Sequence, residues 1–390
     1  VQESLSDLST YSQESFSGIS VLKSFNIQEI IFNKFDKYAF NSFKNSLSLA
    51  KIQAWFFPII LFLIGLSNLI VIYVGGKEFI DGNIEIGVIA EFIIYVNMLT
   101  WPVTLVGWVT SIVKQAEASQ KRINEFLDSK TSLKNGTTRL GKTNNKDITF
   151  KNVDFKYDQT GIEIFKSFNL KIKSGKVLGI VGKVGSGKTS IMDLISRIYD
   201  PQKGDIFIGD KNLKSIEINQ LRSLISYVPQ NTFLFSESIQ KNIEFGNPSS
   251  SIDEIINAAK LAEIDLEIRK FENGYGTILG ERGVTLSGGQ AQRISIARTF
   301  IKDSEIYLFD DCFSSLDSDT EDRILKNLKN NFQKKTLVII SNRVSCVKDA
   351  DNIIVLDNGK IIQSGTHYEL VKNKGYYKDL YLKQNSEINE

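Results

Sequence analysis

The sequence predicts two parts of different class: α-helical membrane-spanning segments in the first third, then an α/β domain of the phosphate-loop type. Three observations carry this expectation. Two long apolar runs occupy residues 55–74 and 86–113. From Ile148 onward, short β-branched runs alternate with amphipathic stretches. A glycine-rich loop, Gly182 to Thr189, stands between one such strand and a helical stretch. A length of 390 residues also suits two domains. The balance of 47 basic against 45 acidic side chains gives no case for a nucleic-acid binder. Cys312, Cys346 and His367 are too few soft ligands for a zinc or iron–sulfur centre, or for a disulfide scaffold.

Residues 1–51 read as polar, amphipathic helix, with Leu5, Leu8, Phe16, Ile19 and Leu22 at mostly helical intervals. The pattern starts at Val1 with no helix-start signal, so a fragment lacking its N-terminus is expected. The run from Trp55 to Val74 is uncharged and long enough to cross about 30 Å of hydrocarbon. A polar loop, Gly75 to Glu85, leads into the stretch from Ile86 to Val113, whose one acid is Glu91. A pair of buried helices in a soluble domain is the competing expectation. Lys23, Lys34, Lys37, Lys44 and Lys51 precede the first span, Lys114, Lys121 and Arg122 follow the second, and the loop has only Lys77. The excess of flanking lysine therefore puts both ends in the cytoplasm. Glu91 either faces a bundle interior or lies near the outer interface. Trp101, Pro102 and Trp108 read as packing or interface anchors. The polar stretch 128–147 reads as a linker. Lys176–Val181, Ile206–Ile208, Ile306–Phe309, Thr336–Ile340 and Ile353–Leu356 then read as strands of a largely parallel sheet.

The chemistry begins at Gly182-Lys-Val-Gly-Ser-Gly-Lys-Thr189. Glycines let backbone N–H groups turn toward phosphates, and the following helix N-terminus adds the positive end of its dipole. Lys188 would reach the β- and γ-phosphates, and the Thr189 hydroxyl would ligate Mg²⁺. Ile306-Tyr-Leu-Phe-Asp310 is an apolar strand ending in a carboxylate suited to positioning that ion. Leu286-Ser-Gly-Gly-Gln290, followed by Ala-Gln-Arg-Ile-Ser-Ile-Ala-Arg298, opens a second helix with bare N–H groups and is a second anion site.

With that pentapeptide some twenty residues before Asp310, the sequence resembles the ATP-binding cassette (ABC) transporter family over nearly its whole length. The resemblance implies a cassette at 148–384, a tail at 385–390, and the C-terminal part of a six-helix exporter membrane domain at 1–127. The two spans would be that domain's fifth and sixth helices. It implies ATP and Mg²⁺ as cofactors, held by Gly182, Lys183, Val184, Gly185, Ser186, Gly187, Lys188, Thr189 and Ser190. Tyr157 would stack on adenine, Gln230 would sit near Mg²⁺ beside Thr189 and Asp310, and Ser287, Gly288, Gly289 and Gln290 would serve an ATP bound by a second cassette. Ser314 to Asp317 resembles the loop that crosses between cassettes. Ile278 to Gly283 resembles the segment that meets the membrane domain, as does the stretch from Gln13 to Phe25 on the other side. His367 resembles a common tail element with no catalytic part, and Cys312 reads as a packed, reduced thiol.

Two positions depart from the family pattern. Asp311 stands where the hydrolytic Glu is expected, and Asn342 where the switch His is expected. The shorter carboxylate loses about 1.5 Å of reach, and an amide cannot carry a proton as imidazole does. The expectation is an integral membrane subunit of an exporter, with its cassette cytoplasmic and its membrane the plasma membrane. It would bind ATP at a slow site and supply an intact signature to a partner half-transporter, in contact with lipid and an unidentified cargo. A homodimer that stays active, and the first cassette of a fused multidrug-resistance-associated transporter, are other outcomes of the same substitutions. A soluble ABC ATPase and an ATP-gated channel or regulatory subunit are the alternatives in function.

Overall fold

The computed structural model describes residues 2–388 except 129–130, 132, 140–145, 159 and 281–285, with backbone alone for Thr104, Ser111, Glu387 and Ile388. It divides into two compact units, Val1–Lys130 and Thr131–Glu390.

The first unit is helical: α1 (Gln2–Ser17), α2 (Ile19–Ser24), α3 (Gln28–Ile80) and α4 (Ile86–Leu127). The amphipathic start folds back on α3, where the Tyr11 ring lies 5.1 Å from that of Tyr38 and the Lys34 ammonium sits over it. Helix α3 runs for 53 residues, about 80 Å at 1.5 Å per residue. Each predicted span is thus the apolar part of a helix that continues well beyond a bilayer. Helices α3 and α4 form an antiparallel hairpin, tight enough near its turn that a side chain on Gly75 would meet Ile89 at 2.9 Å. The hairpin turns the lysine-bearing ends of both helices to one side. Among the described residues of this unit only Ser42 is buried. Trp55, Phe57, Phe62, Ile70, Trp101 and Val103 are all exposed. A soluble core would have covered them, so these runs are not the buried pair of a soluble domain. Glu91 accepts a hydrogen bond from the Tyr95 hydroxyl one turn on.

The second unit holds two sheets. The smaller is antiparallel, in the order β2 (Glu163–Ile172), β1 (Ile148–Lys156), β4 (Lys203–Ile208), β5 (Lys211–Asn212). Ile206–Ile208, read from the sequence as a strand of the parallel sheet, lies here instead, paired antiparallel with β1; the other strands of this sheet carry no expectation from the sequence. The larger contains β6 (Ile225–Val228), β7 (Ile306–Asp310), β8 (Thr336–Ile340), β3 (Val177–Gly182), β9 (Asn352–Asp357) and β10 (Lys360–Gly365), ordered β10-β9-β3-β8-β7-β6 and parallel except for β10. Every residue of β7 and β8 is buried, which is why both read as unbroken apolar runs. The helices are α5 (Lys188–Ile195), α6 (Ile218–Ser223), α7 (Ile239–Glu244), α8 (Ile252–Leu261), α9 (Asp265–Ile268), α10 (Gly288–Phe300), α11 (Ser318–Asn331), α12 (Val344–Val347), α13 (His367–Lys372) and α14 (Tyr376–Ile388). One core, with Ile180, Ile191 and Ile195, lies between the two sheets. The other, with Phe309, Phe313 and Ile324, lies on the far face of the parallel sheet.

Part of the stretch read as a linker is docked on this unit. The Thr138 N–H donates to the Ser215 carbonyl at 2.9 Å, and the Asn135 side chain accepts from the Ile218 N–H at 2.9 Å.

Candidate nucleotide site

Open parallel sheets hold ligands at the carboxyl ends of their strands, and the candidate residues gather there. Strand β3 feeds the loop 182–187, β7 ends at Asp310 beside Asp311, β8 is followed by Ser341 and Asn342, and β6 leads to Gln230. Tyr157, Ser186, Lys188, Thr189, Gln230 and Asp310 line one cleft, joined by Val184, Gly185, Gly187, Ser190, Asp311 and Asn342. Ile164, unremarked in the sequence, lines it too.

The loop's glycines have physical reasons. Gly187 sits at φ +100°, the left-handed region, as the residue preceding α5, and no side chain caps that helix. A side chain there would meet Ile164 at 2.7 Å. Gly182 has no room either, since an added carbon would lie 2.1 Å from the Leu356 carbonyl oxygen. The Lys188 ammonium donates to the Gly182 and Lys183 carbonyls at 2.7 and 2.9 Å, which folds the loop around it. Burial pulls its pKa below the ordinary lysine value, and the nearby Asp311 and Asp310 carboxylates oppose that. Lys183 itself pairs with Asp357 at 3.2 Å, while Val184 projects into solvent.

Asp310 is buried, and that burial raises its pKa; hydrogen bonds from the Thr189 and Tyr227 hydroxyls act in the other direction. The Tyr227 contact, 3.4 Å, joins residues 83 apart and had no sequence signal. A magnesium ion and a phosphate chain fit this donor set. Thr189 and Asp310 are adjacent oxygen ligands of the hard kind Mg²⁺ prefers, and the Ser186 hydroxyl is buried in the loop without a partner of its own. Tyr157 is half-buried, its hydroxyl bonded to Ser190 at 2.9 Å and Asp193 at 3.2 Å, so α5 fixes the angle of its ring.

The two departures from the pattern meet. The Asn342 side-chain amide donates to the Asp311 carboxylate at 3.3 Å. Asp311 is held at φ +45°, with its own N–H on the Ile340 carbonyl at 2.9 Å. Burial raises its pKa, opposed by the Asn342 hydrogen bonds and the charges of Lys188 and Arg343. Gln384 of α14 grips the Asn342 carbonyl at 2.8 Å and the Val344 N–H at 2.9 Å, a contact the sequence did not reveal.

The signature residues lie elsewhere in the unit. Ser287 and Gln290 form a capping box at the start of α10: the Ser287 hydroxyl accepts from the Gln290 N–H at 3.2 Å, and the Gln290 side chain accepts from the Ser287 N–H at 3.0 Å. Gly288 and Gly289 occupy the first turn, where a side chain on Gly289 would touch the Ser315 carbonyl at 3.0 Å. None of these four residues lines the cleft. Asp317, at the end of the Ser314–Asp317 stretch, caps α11 by accepting from the Thr320 N–H at 2.9 Å, and this keeps its pKa below the ordinary value. Glu281, Arg282 and Gly283, in the segment expected to meet the membrane domain, lie outside the described residues. Cys312 and Cys346 are free and buried, and His367 is tied to the Tyr377 hydroxyl at 2.8 Å.

Comparison with known proteins identifies the family and the fold. Residues 165–314 match the ABC transporter family model, and residues 1–103 match the ABC transporter transmembrane region. The multidrug resistance-like ATP-binding protein MdlA of Escherichia coli is 35% identical over 387 residues, 99% of this chain and 65% of that protein. The ATP-dependent lipid A-core flippase of Desulfotalea psychrophila is 35% identical over 384 residues, 98% of this chain and 67% of its own length. A solved bacterial Atm1-family ABC exporter with ATP bound superposes with a TM-score of 0.84 at 29% identity, covering 96% of this chain and 66% of that one. The chain thus spans about two thirds of the length of these relatives. With both family regions matched in order, and relatives aligned along nearly its entire length, the chain belongs to the ABC transporter family, as a membrane-spanning helical region followed by a cytoplasmic ATP-binding domain.

Proposed function

We propose that the chain is a subunit of an ATP-driven exporter in the plasma membrane. It binds ATP in its own cleft, hydrolyses it slowly there, and lends its signature helix to the nucleotide of a partner half-transporter. The observation that carries this reading is the hydrogen bond from Asn342 to Asp311 inside the phosphate-loop cleft. A general base must reach the attacking water. Asp311 is one carbon shorter than the family's Glu, and its carboxylate is engaged by an amide that cannot take up a proton. Loss of acid–base groups of this kind lowers rates by about 10²–10⁴-fold.

Binding has all its parts. The loop amides and Lys188 would cradle phosphates, Ser186 offers an unused hydroxyl, and Thr189, Asp310 and Gln230, which line the same cleft, would hold the metal ion. When bound, Mg²⁺ neutralises charge developing on the transferred phosphoryl group. Tyr157 would present its ring to the base. The intact capping box at Ser287 and Gln290 supports a role toward a second cassette, because those residues lie outside the cleft. ATP that binds a closed pair of cassettes better than an open one shifts the population to the closed form.

Heterodimeric assembly follows from the asymmetry, with a partner that carries Glu and His at the matching positions. The test is ATP turnover of the chain reconstituted alone and with such a partner. Slow turnover alone and brisk turnover in the mixed pair are expected; brisk turnover by this chain alone would refute the slow-site reading.

A further inference from the structure

Arg197 heads the large, fully buried side chains, at 1% exposure, and its backbone is held at φ +49°, a conformation few side chains adopt. It lies two residues beyond the end of α5. Its guanidinium pairs with Asp200, at 2.9 Å from Nε and 3.3 Å from Nη2. Nη1 donates to the Leu213 and Ile216 carbonyls at 3.1 and 3.2 Å. The shortest of its contacts, 2.6 Å from Nη2, goes to the Lys134 carbonyl, in the segment that enters this unit from the helical one.

That segment is fastened around the same point. Thr138 exchanges backbone hydrogen bonds with Ser215 and Glu217 at 2.9 and 3.1 Å, and Asn135 caps α6. Gly136 passes so close to Ser215 that an added carbon would lie 2.2 Å from its backbone. A buried guanidinium must have its donors used. Asp200, Leu213 and Ile216 take four of the five N–H donors within the cassette, and the fifth goes to the Lys134 carbonyl, the one contact that reaches beyond it.

We propose that Arg197 is a positioning residue that fixes the entering segment, residues 133–139, to the phosphate-loop helix. Resting on the nucleotide reading above, the inference makes α5 a single short rod, about 12 Å long, with the phosphates at its N-terminus and the incoming chain at its other end. Seating a nucleotide and gripping that segment are then linked through one rigid element. A displacement of the phosphate loop is passed to residues 133–139 without an intervening flexible joint.

The experiment uses the full chain, with its partner, in lipid nanodiscs. Trypsin cleavage after Lys134 and Arg139 is followed over time with and without ATP, and nucleotide affinity is read with trinitrophenyl-ATP. In the unaltered chain ATP is expected to slow this cleavage. Arg197→Gln is expected to weaken trinitrophenyl-ATP binding by no more than the factor by which ATP slows cleavage of the unaltered chain. Its cleavage should be about tenfold faster, as loss of a buried charge-assisted bond implies, and no longer sensitive to ATP. Arg197→Lys should recover part of the protection. Should Arg197→Gln fail to fold, Gly136→Val, which forces the segment off Ser215 and leaves Arg197 in place, is expected to give the same pattern. Unchanged cleavage, or faster cleavage that ATP still slows as much as in the unaltered chain, would overturn the proposal. An unaltered chain that fails to bind trinitrophenyl-ATP would instead overturn the nucleotide reading, while its cleavage rates still decide whether Arg197 holds the segment.

Discussion

Helices α5 and α10 both begin on glycines and both present a positive dipole end, yet they begin differently. The start of α5 has a left-handed Gly187 and no side-chain cap, and it opens into a cleft with its own lysine and carboxylates. The start of α10 is closed by its own Ser287 and Gln290, and Gln290 is held in addition by Glu267 at 2.9 Å. One is a site built to be filled from within the chain. The other is a helix end already closed by its own side chains, with its Ser287 hydroxyl serving as an acceptor; under the proposed function it would meet a nucleotide held by a partner. The Asp311 and Asn342 substitutions fall wholly on the first.

That contrast is tested most forcefully at Asp311 and Asn342, the two positions that the proposed function makes slow. Replacing Asp311 by Glu together with Asn342 by His should raise turnover at this chain's own site by about 10²-fold or more. The readout is ATPase rate in a pair whose partner site has been silenced. No gain would mean that the slow step lies elsewhere. Next in size, Lys188→Ala should weaken ATP binding about a hundredfold or more, from two lost charge-assisted phosphate contacts at about 1.5–3 kcal/mol each. Isothermal titration checks this, and an affinity change below tenfold would remove the loop from the binding site. Ser287→Ala should cost about 1 kcal/mol of stability through the lost cap. It should leave this chain's affinity for ATP alone and slow hydrolysis in the partner's site. Equal effects on both sites would end the distinction between the two helix starts.

The smallest effect concerns pH. Burial raises the folded-state pKa of Asp310 and Asp311, so their ionised forms cost stability above that raised value, and the cost is relieved as pH falls through it. Asp317 is depressed, so its cap adds stability above the ordinary carboxylate value, about 3.9, and loses it as pH falls through the lower folded value. Just above the ordinary value, nucleotide affinity should therefore fall while the melting temperature does not. Parallel titrations by fluorescence and calorimetry would test this, and a joint decline of both would contradict it.

What the sequence made legible was local and repetitive. The apolar runs needed only length and lack of charge, and the phosphate loop needed only glycines at fixed spacing between a strand and a helix. The antiparallel sheet escaped as a sheet: only Ile206–Ile208 of β4 was legible as a strand, and β1 and β2 were hidden by alternation of buried and exposed faces and by bulges, at Phe150–Val153 for example. Tyr227 on Asp310, Gln384 on the Asn342 backbone, and Arg197 on Lys134 each join residues far apart in the chain, which no spacing rule connects. Asp311 and Asn342 were each visible as departures. That they bond to one another was not, because β7 and β8 are neighbours only in the folded sheet.

Helix α3 carries a proline near where its apolar stretch begins, and α4 carries one within its own, Pro58 and Pro102. A ring at those points removes one rung of the backbone ladder and crowds the carbonyl a turn earlier. Each long shaft therefore has a compliant spot close to or inside the hydrocarbon, while its cytoplasmic length stays stiff. Bending of either shaft is expected at these rings in preference to its lysine-rich length.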